Sequence, residues 1–106
     1  MTLLRPLRVG AVVSPTNLVL APMSGVTDSA FRRMVRACSG DALGLVVTEF
    51  VAAEGLTRDS VRTFRMLRFQ TSEKPLSIQI FGADVDRMVR AATMVADAGA
   101  DIVDVN

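Results

Sequence analysis

Three apolar runs in this chain each carry a hydrogen-bonding side chain near the carboxyl end. Glu49 closes Leu45-Val-Val-Thr-Glu49, Gln79 sits within Leu76-Ser-Ile-Gln-Ile-Phe81, and Asn106 closes Asp101-Ile-Val-Asp-Val-Asn106. Strands buried on both faces of a parallel sheet should be almost wholly apolar. Two-residue alternation instead puts Ile102, Asp104 and Asn106 on one face, and Val103 and Val105 on the other. Ser77 and Gln79 likewise share a face opposite Leu76, Ile78 and Ile80. Each strand thus has an apolar face suited to helices and a partly polar face. Ligands of parallel α/β folds sit beyond the carboxyl ends of the strands. Gln79 and Asn106 together therefore suit a planar, hydrogen-bonding ligand. Glu49 fits that site or the capping of a neighbouring loop. Asp104 lies deeper, where a carboxylate needs a partner, and reads as structural.

A second candidate is Leu20-Ala-Pro-Met-Ser-Gly-Val-Thr-Asp28. It follows the apolar run Leu18–Leu20 and precedes an amphipathic segment. Pro22 cannot donate to a sheet ladder and stops the strand. Ser24-Gly25 allows a sharp turn, and Thr27 or Asp28 can cap the following helix. Such a strand-loop-helix junction leaves backbone groups of Met23 and Ser24 free to touch a ligand.

Other reactive side chains are less suited to chemistry. Cys38 is the single cysteine and the chain has no histidine, so an internal disulfide and a Cys/His zinc site are excluded. Cys38 falls on the apolar face of an expected helix with no histidine to activate it, and reads as a small buried hydrophobe. Arg58, Arg62, Arg65 and Arg68 recur at helical spacing. They read as a solvated face, with phosphate contacts as the alternative.

These residues must be positioned by alternating elements. Expected strands are Leu18–Ala21, Leu45–Glu49, Leu76–Phe81 and Ile102–Asn106. Expected helices are Ser29–Cys38, Arg58–Leu67 and Asp84–Ala98. The first helix would put Ala30, Phe31, Met34, Val35 and Cys38 on one face, and Arg32, Arg33 and Arg36 on another. The second would face the core through Val61, Phe64 and Leu67. The third would use Val85, Met88, Val89, Ala92, Val95 and Ala96, with Asp84 as its cap and Gly99 just past its end. A β-α-β-α-β-α-β order argues for a parallel sheet of right-handed units. An open doubly wound sheet usually marks its first turn with Gly-x-Gly-x-x-Gly, which is absent here. A (β/α)8 barrel needs about 250 residues, so the 106 residues would hold four of eight strands.

Composition agrees with one soluble α/β domain. Hydrophobic residues make up 50% before glycine is counted, above the usual share. That fits doubly buried strands, or surface that awaits a missing partner. Net charge is +1, but residues 1–40 hold five arginines against Asp28, and eleven of the twelve bases are Arg. The basic clusters read as solvated helix faces. No apolar run approaches the roughly 20 residues of a membrane helix. Val9-Gly-Ala-Val-Val13 is too short and too late for a signal-peptide core. A cytoplasmic protein is the expectation.

Taken together the motifs resemble the tRNA-dihydrouridine synthases, flavin enzymes built on a TIM (β/α)8 barrel. The resemblance runs from about Leu18 to Asn106. It rests on Ala21-Pro-Met-Ser-Gly-Val-Thr-Asp28 with Phe31-Arg-Arg33, on Val47-Thr-Glu-Phe50, on Ile78-Gln-Ile-Phe-Gly82 and on Ala98-Gly-Ala-Asp-Ile-Val-Asp-Val-Asn106. It implies that residues 1–106 are the N-terminal half of an FMN-binding barrel. Pro22, Met23 and Ser24 would lie against the isoalloxazine, Gln79 would hydrogen-bond the flavin ring, and Asn106 would sit where flavin and uracil meet. NADPH would reduce the flavin, and tRNA would be the substrate. In the family the Asp-x-Asn strand continues into Met-Gly-Cys-Pro, whose cysteine is the general acid. No residue up to Asn106 is therefore assigned as catalytic, and none as a metal ligand. The resemblance implies that the chain alone is inactive, and its open sheet edges imply self-association. The alternatives are another FMN barrel, such as a dihydroorotate dehydrogenase or an old yellow enzyme relative, and a non-catalytic binding or assembly module.

Overall fold

The computed structural model describes residues 3–106. Its first element was not anticipated from the Val9–Val13 run. Strands β1 (Leu7–Val9) and β2 (Val12–Ser14) pair antiparallel, with Val9 opposite Val12. Gly10, at φ 57°, supplies the left-handed residue that the tight connection needs.

Behind this hairpin lies a wholly parallel sheet of β3 (Val19–Leu20), β4 (Leu45–Val47), β5 (Val51–Ala52), β6 (Leu76–Phe81) and β7 (Ile102–Val105). Strand β4 lies between β3 and β6, and β7 flanks β6 on its other side. All four expected strands are present, and three are shorter than expected. Leu45–Glu49 ends as a strand at Val47. The chain rejoins the sheet at β5, where Val51 and Ala52 pair with Ile80 and Phe81. The Thr48 amide still donates to the Ser77 carbonyl at 3.0 Å, and Glu49 and Phe50 leave the ladder between β4 and β5.

Helices α1 (Ser29–Ser39), α2 (Ala53–Thr57), α3 (Val61–Arg65) and α4 (Val85–Asp97) connect the strands. The helix expected over Arg58–Leu67 is corrected to the shorter α3, and α2 before it was not anticipated. Asp59 takes a left-handed φ of 58°, which ends α2, and Ser60 then caps α3 through the Thr63 amide at 3.3 Å. As expected, Asp84 caps α4 by accepting from the Arg87 amide at 3.0 Å, and Gly99 at φ 100° follows its end.

The core lies between these helices and the apolar face of the sheet. Val46, Val51, Leu56, Leu76, Ile78, Ile80, Ala91 and Val95 are essentially inaccessible. Three helix faces differ from expectation. In α3 Val61 and Phe64 are exposed, and of the expected stripe only Leu67, just past the helix end, is buried. In α4 the core side is Ala91 and Val95 with Met88, Ala92 and Met94 packed against them, whereas Val85 and Val89 are exposed. In α1 the supposed solvated Arg32 is 2% exposed, while Met34 is 54% exposed and Cys38 is exposed. The cause is Glu73, fully buried against α1 from a short 3-10 turn at Thr71–Glu73. A buried carboxylate demands a cation, and that demand overrides the hydrophobic periodicity.

The result is a run of successive parallel β/α units, as in part of a TIM barrel, and the sheet is not closed. Among the described residues, no helix is long and apolar enough to cross a membrane.

Candidate functional site

The loop after β3 is built around Thr27. Alone among residues 21–28 it is buried, with no measurable exposure. Its hydroxyl accepts from the Met23 amide at 3.0 Å and donates to the Met23 carbonyl at 3.2 Å. The Thr27 amide donates to the same carbonyl at 3.0 Å. Gly25, at φ 72°, makes the turn that closes this ring. Helix capping therefore falls to Asp28, which accepts from the Phe31 amide at 2.8 Å. Pro22 is half-buried, and Met23 and Ser24 are exposed at the apex.

Glu49 belongs to the loop. Its Oε1 accepts a short hydrogen bond from the Gly25 amide. The loop-capping reading of Glu49 is thus the one observed. Next to it, Thr48 Oγ1 donates to the Glu49 carbonyl at 2.7 Å and accepts from the Gln79 amide at 3.2 Å. The segment between β4 and β5 so links the loop to the middle of β6.

Gln79 is held from both sides. Its Nε2 donates to Asp104 Oδ2 at 2.7 Å, and its Oε1 accepts from Asn106 Nδ2 at 3.3 Å. Asp104 is half-buried and has the partner that its position required. The Asn106 amide donates to the Ile80 carbonyl at 3.0 Å, which extends the β6–β7 ladder by one residue. One Nε2 proton and one Oε1 lone pair of Gln79 remain for a ligand. Gln79 and Asn106 are thus in contact, as their shared face implied. Among the described residues, no hydrogen bond joins Pro22, Met23 or Ser24 directly to either of them. The connection runs through Glu49 and Thr48. A cavity of about 820 Å³ opens beside Asn106, with Phe81, Gly82, Asp84 and Arg87 in its wall. Neither Met23 nor Ser24 lines it.

Sequence reasoning missed the polar cluster beneath the loop. Arg32 Nε pairs with Glu73 Oε1 at 2.5 Å. Arg36 donates to the carbonyls of Glu73, Leu43, Gly44 and Pro75 at 2.8–3.1 Å. Burial pulls the Arg36 guanidinium below its ordinary pKa, and the Glu73 charge opposes that shift. The available signal was Gln70-Thr-Ser-Glu73, whose ends form a capping box around the 3-10 turn. Arg58, Arg62, Arg65 and Arg68 are exposed, as a solvated face requires, and Arg58 pairs with Glu54 at 3.1 Å.

The parallel sheet and its β/α units are those of part of an α/β barrel. Residues 19–106 match the family model for dihydrouridine synthase (Dus), and the chain belongs to that family. It is 39% identical over 105 residues to a probable tRNA-dihydrouridine synthase of Mycobacterium tuberculosis H37Rv, covering 94% of this chain and 27% of that protein. A probable tRNA-dihydrouridine synthase of Rhodobacter capsulatus is 45% identical over 91 residues, covering 84% and 27%. The tRNA-dihydrouridine synthase B of Pseudomonas putida is 36% identical over 99 residues, covering 93% and 28%. The chain thus spans little more than a quarter of the length of these relatives.

Proposed function

We propose that residues 1–106 form the flavin-ring-binding part of an FMN-dependent tRNA-dihydrouridine synthase, an oxidoreductase of tRNA processing. The observation that carries this reading is the Gln79 carboxamide, fixed between Asp104 and Asn106 at the carboxyl ends of β6 and β7. A flavin pyrimidine ring presents alternating acceptors and donors along one edge. The free proton and lone pair of Gln79 suit that edge, so the residues present fit the cofactor. Pro22, Met23 and Ser24 would lie against the ring, and Asn106 would stand between the ring and the uracil. Bound FMN, reduced by NADPH, would supply the hydride that converts uridine to dihydrouridine in tRNA.

The chain's own part is binding and orientation. Cys38 is exposed on α1 with no histidine in the chain to activate it, and it is not the general acid. That role would belong to the cysteine that follows the Asp-x-Asn strand in the family pattern. The isolated chain would then lack dihydrouridine synthesis and would self-associate through its open sheet edges, whereas within a larger cytoplasmic enzyme the same residues would seat the flavin ring.

The test is a titration of FMN fluorescence with the purified chain. Quenching is expected from wild type, with Gln79→Ala and Asn106→Ala weakening it. Riboflavin should quench as well as FMN, since the proposed contacts are to the ring and not the phosphate. Absence of quenching by the wild-type chain would overturn the reading.

A further inference from the structure

Arg32 and Glu73 are buried far from any role as a solvated ion pair, being 2% and 0% exposed. A buried pair can often be replaced by apolar side chains without loss of stability. Its directional bonds are therefore more informative than its charge. Arg32 uses three nitrogens in three directions. Nε meets Glu73 Oε1 at 2.5 Å, one terminal nitrogen donates to the Thr27 carbonyl at 2.7 Å, and the other to the Arg68 carbonyl at 3.1 Å. Glu73 Oε2 accepts from Ser29 Oγ at 2.6 Å and from the Gln70 amide at 2.7 Å. Both carboxylate oxygens are thus occupied, and the guanidinium cannot rotate without breaking several bonds.

The Thr27 carbonyl lies just ahead of the Asp28 cap, where the helix offers it no donor. Arg32 supplies that donor from one turn into α1. Thr27 in turn holds the Met23 amide and carbonyl. The loop is gripped at Thr27 from α1 and at Gly25 from Glu49, and Met23 and Ser24 stand exposed just ahead of the two grips.

We propose that Arg32 and Glu73 are positioning residues for the flavin ring: through the Thr27 carbonyl they fix the Met23–Ser24 backbone against which the ring would lie. This rests on the reading of the loop as a flavin seat. Neither residue touches the cofactor in this scheme. Their effect is on how much of the chain holds the loop in its binding geometry.

The experiment compares wild type with Glu73→Gln, Arg32→Lys and the apolar double variant Arg32→Met/Glu73→Leu, all in the 106-residue chain. Amide hydrogen exchange is read at Met23 and Thr27 and, as a control, along β6. FMN affinity is read by fluorescence quenching. Loss of one charge-assisted hydrogen bond corresponds to a change of about tenfold or more. Protection at Met23 and Thr27 and FMN affinity should both fall by that order in Glu73→Gln and in the double variant. Protection along β6 should stay at the wild-type level, and Arg32→Lys should recover part of the loss. If Glu73→Gln unfolds, the double variant decides, because its apolar pair keeps the burial and removes only the directional bonds. Equal loss of protection in the loop and in β6, or wild-type protection of the loop in the double variant, overturns the proposal. If wild type itself fails to bind FMN, the flavin reading falls, and exchange at Met23 and Thr27 still decides whether Arg32 sets the loop.

Discussion

Gln79 and Asp104 are direct partners across β6 and β7, and the Gln79 Nε2 donates to the Asp104 carboxylate at 2.7 Å. Asp104 therefore decides which end of the carboxamide faces the ligand. Without it the amide can turn over, presenting oxygen where nitrogen was. Asp104→Ala should weaken FMN binding by about tenfold, the scale of one hydrogen bond to a charged group. Asp104→Asn keeps an acceptor oxygen and should recover most of the loss. A fluorescence titration checks this, and an unchanged affinity in Asp104→Ala would mean that the pair does not orient Gln79 for the cofactor.

Gly44 is where the N-terminal hairpin meets the sheet. A Cβ there would overlap the Thr16 carbonyl and the Ser14 hydroxyl. The contact is fixed on both sides: the Gly44 amide donates to the Leu18 carbonyl at 2.9 Å, and Thr16 Oγ1 donates to the Ala42 carbonyl at 2.6 Å. Backbone cannot give way as a side chain end can. Gly44→Ala should cost about 1–3 kcal/mol, the usual range for overpacking. Urea unfolding monitored by circular dichroism gives the number. A midpoint equal to that of wild type would show that the hairpin is loosely docked.

The fold was legible where one physical signal dominated. Leu76–Phe81 is apolar and β-branched, and it forms the six-residue β6 as read. Asp84 and Gly99 bracket α4 because cap chemistry is local. The α1 faces were illegible for a different reason. Arg32 is buried by a carboxylate 41 residues away in sequence, and no periodicity in Ser29–Cys38 records that. The break at Asp59 rests on a single left-handed residue inside a run whose Val61, Phe64 and Leu67 mimic a helix face. In the site, alternation put Asp104 and Asn106 on one face of their strand, and Gln79 and Asn106 do meet; that Gln79 is the partner Asp104 needed was not read from the sequence. The clamp from Glu49 to Gly25 could only be offered as one of two readings, because a strand-end carboxylate looks the same in either role.

Ser77 is 1% exposed on the same sheet face as Gln79. Among the described residues its hydroxyl has no hydrogen-bond partner. An unpaired buried hydroxyl costs about 1–3 kcal/mol. Ser77→Ala removes it with little change of volume and should raise stability by about 1 kcal/mol. The urea midpoint of the variant measures this. A fall of similar size would show that the hydroxyl finds a partner in solution.

The edges of the sheet support the last prediction. Among the described residues β3 pairs only with β4, and β7 only with β6. Each leaves one side of its ladder unpaired beside apolar surface, Leu18 and Val19 at one edge and Val105 at the other. Val105 is in register with Ile80 on the helix-facing side, yet it is 64% exposed because no helix covers it. Open parallel edges of this kind recruit further strands. The isolated chain should therefore associate with rising concentration, seen as a shift to faster species in sedimentation velocity. A lysine on either edge raises the cost of strand addition, so Val19→Lys and Val105→Lys should each move the distribution toward monomer. Because β3 and β7 run parallel at opposite ends of the sheet, one edge can add to the other, and the two substitutions should then act on the same contact. Combined, they should do little more than one alone, and a fully additive effect would point instead to separate edge-to-edge contacts.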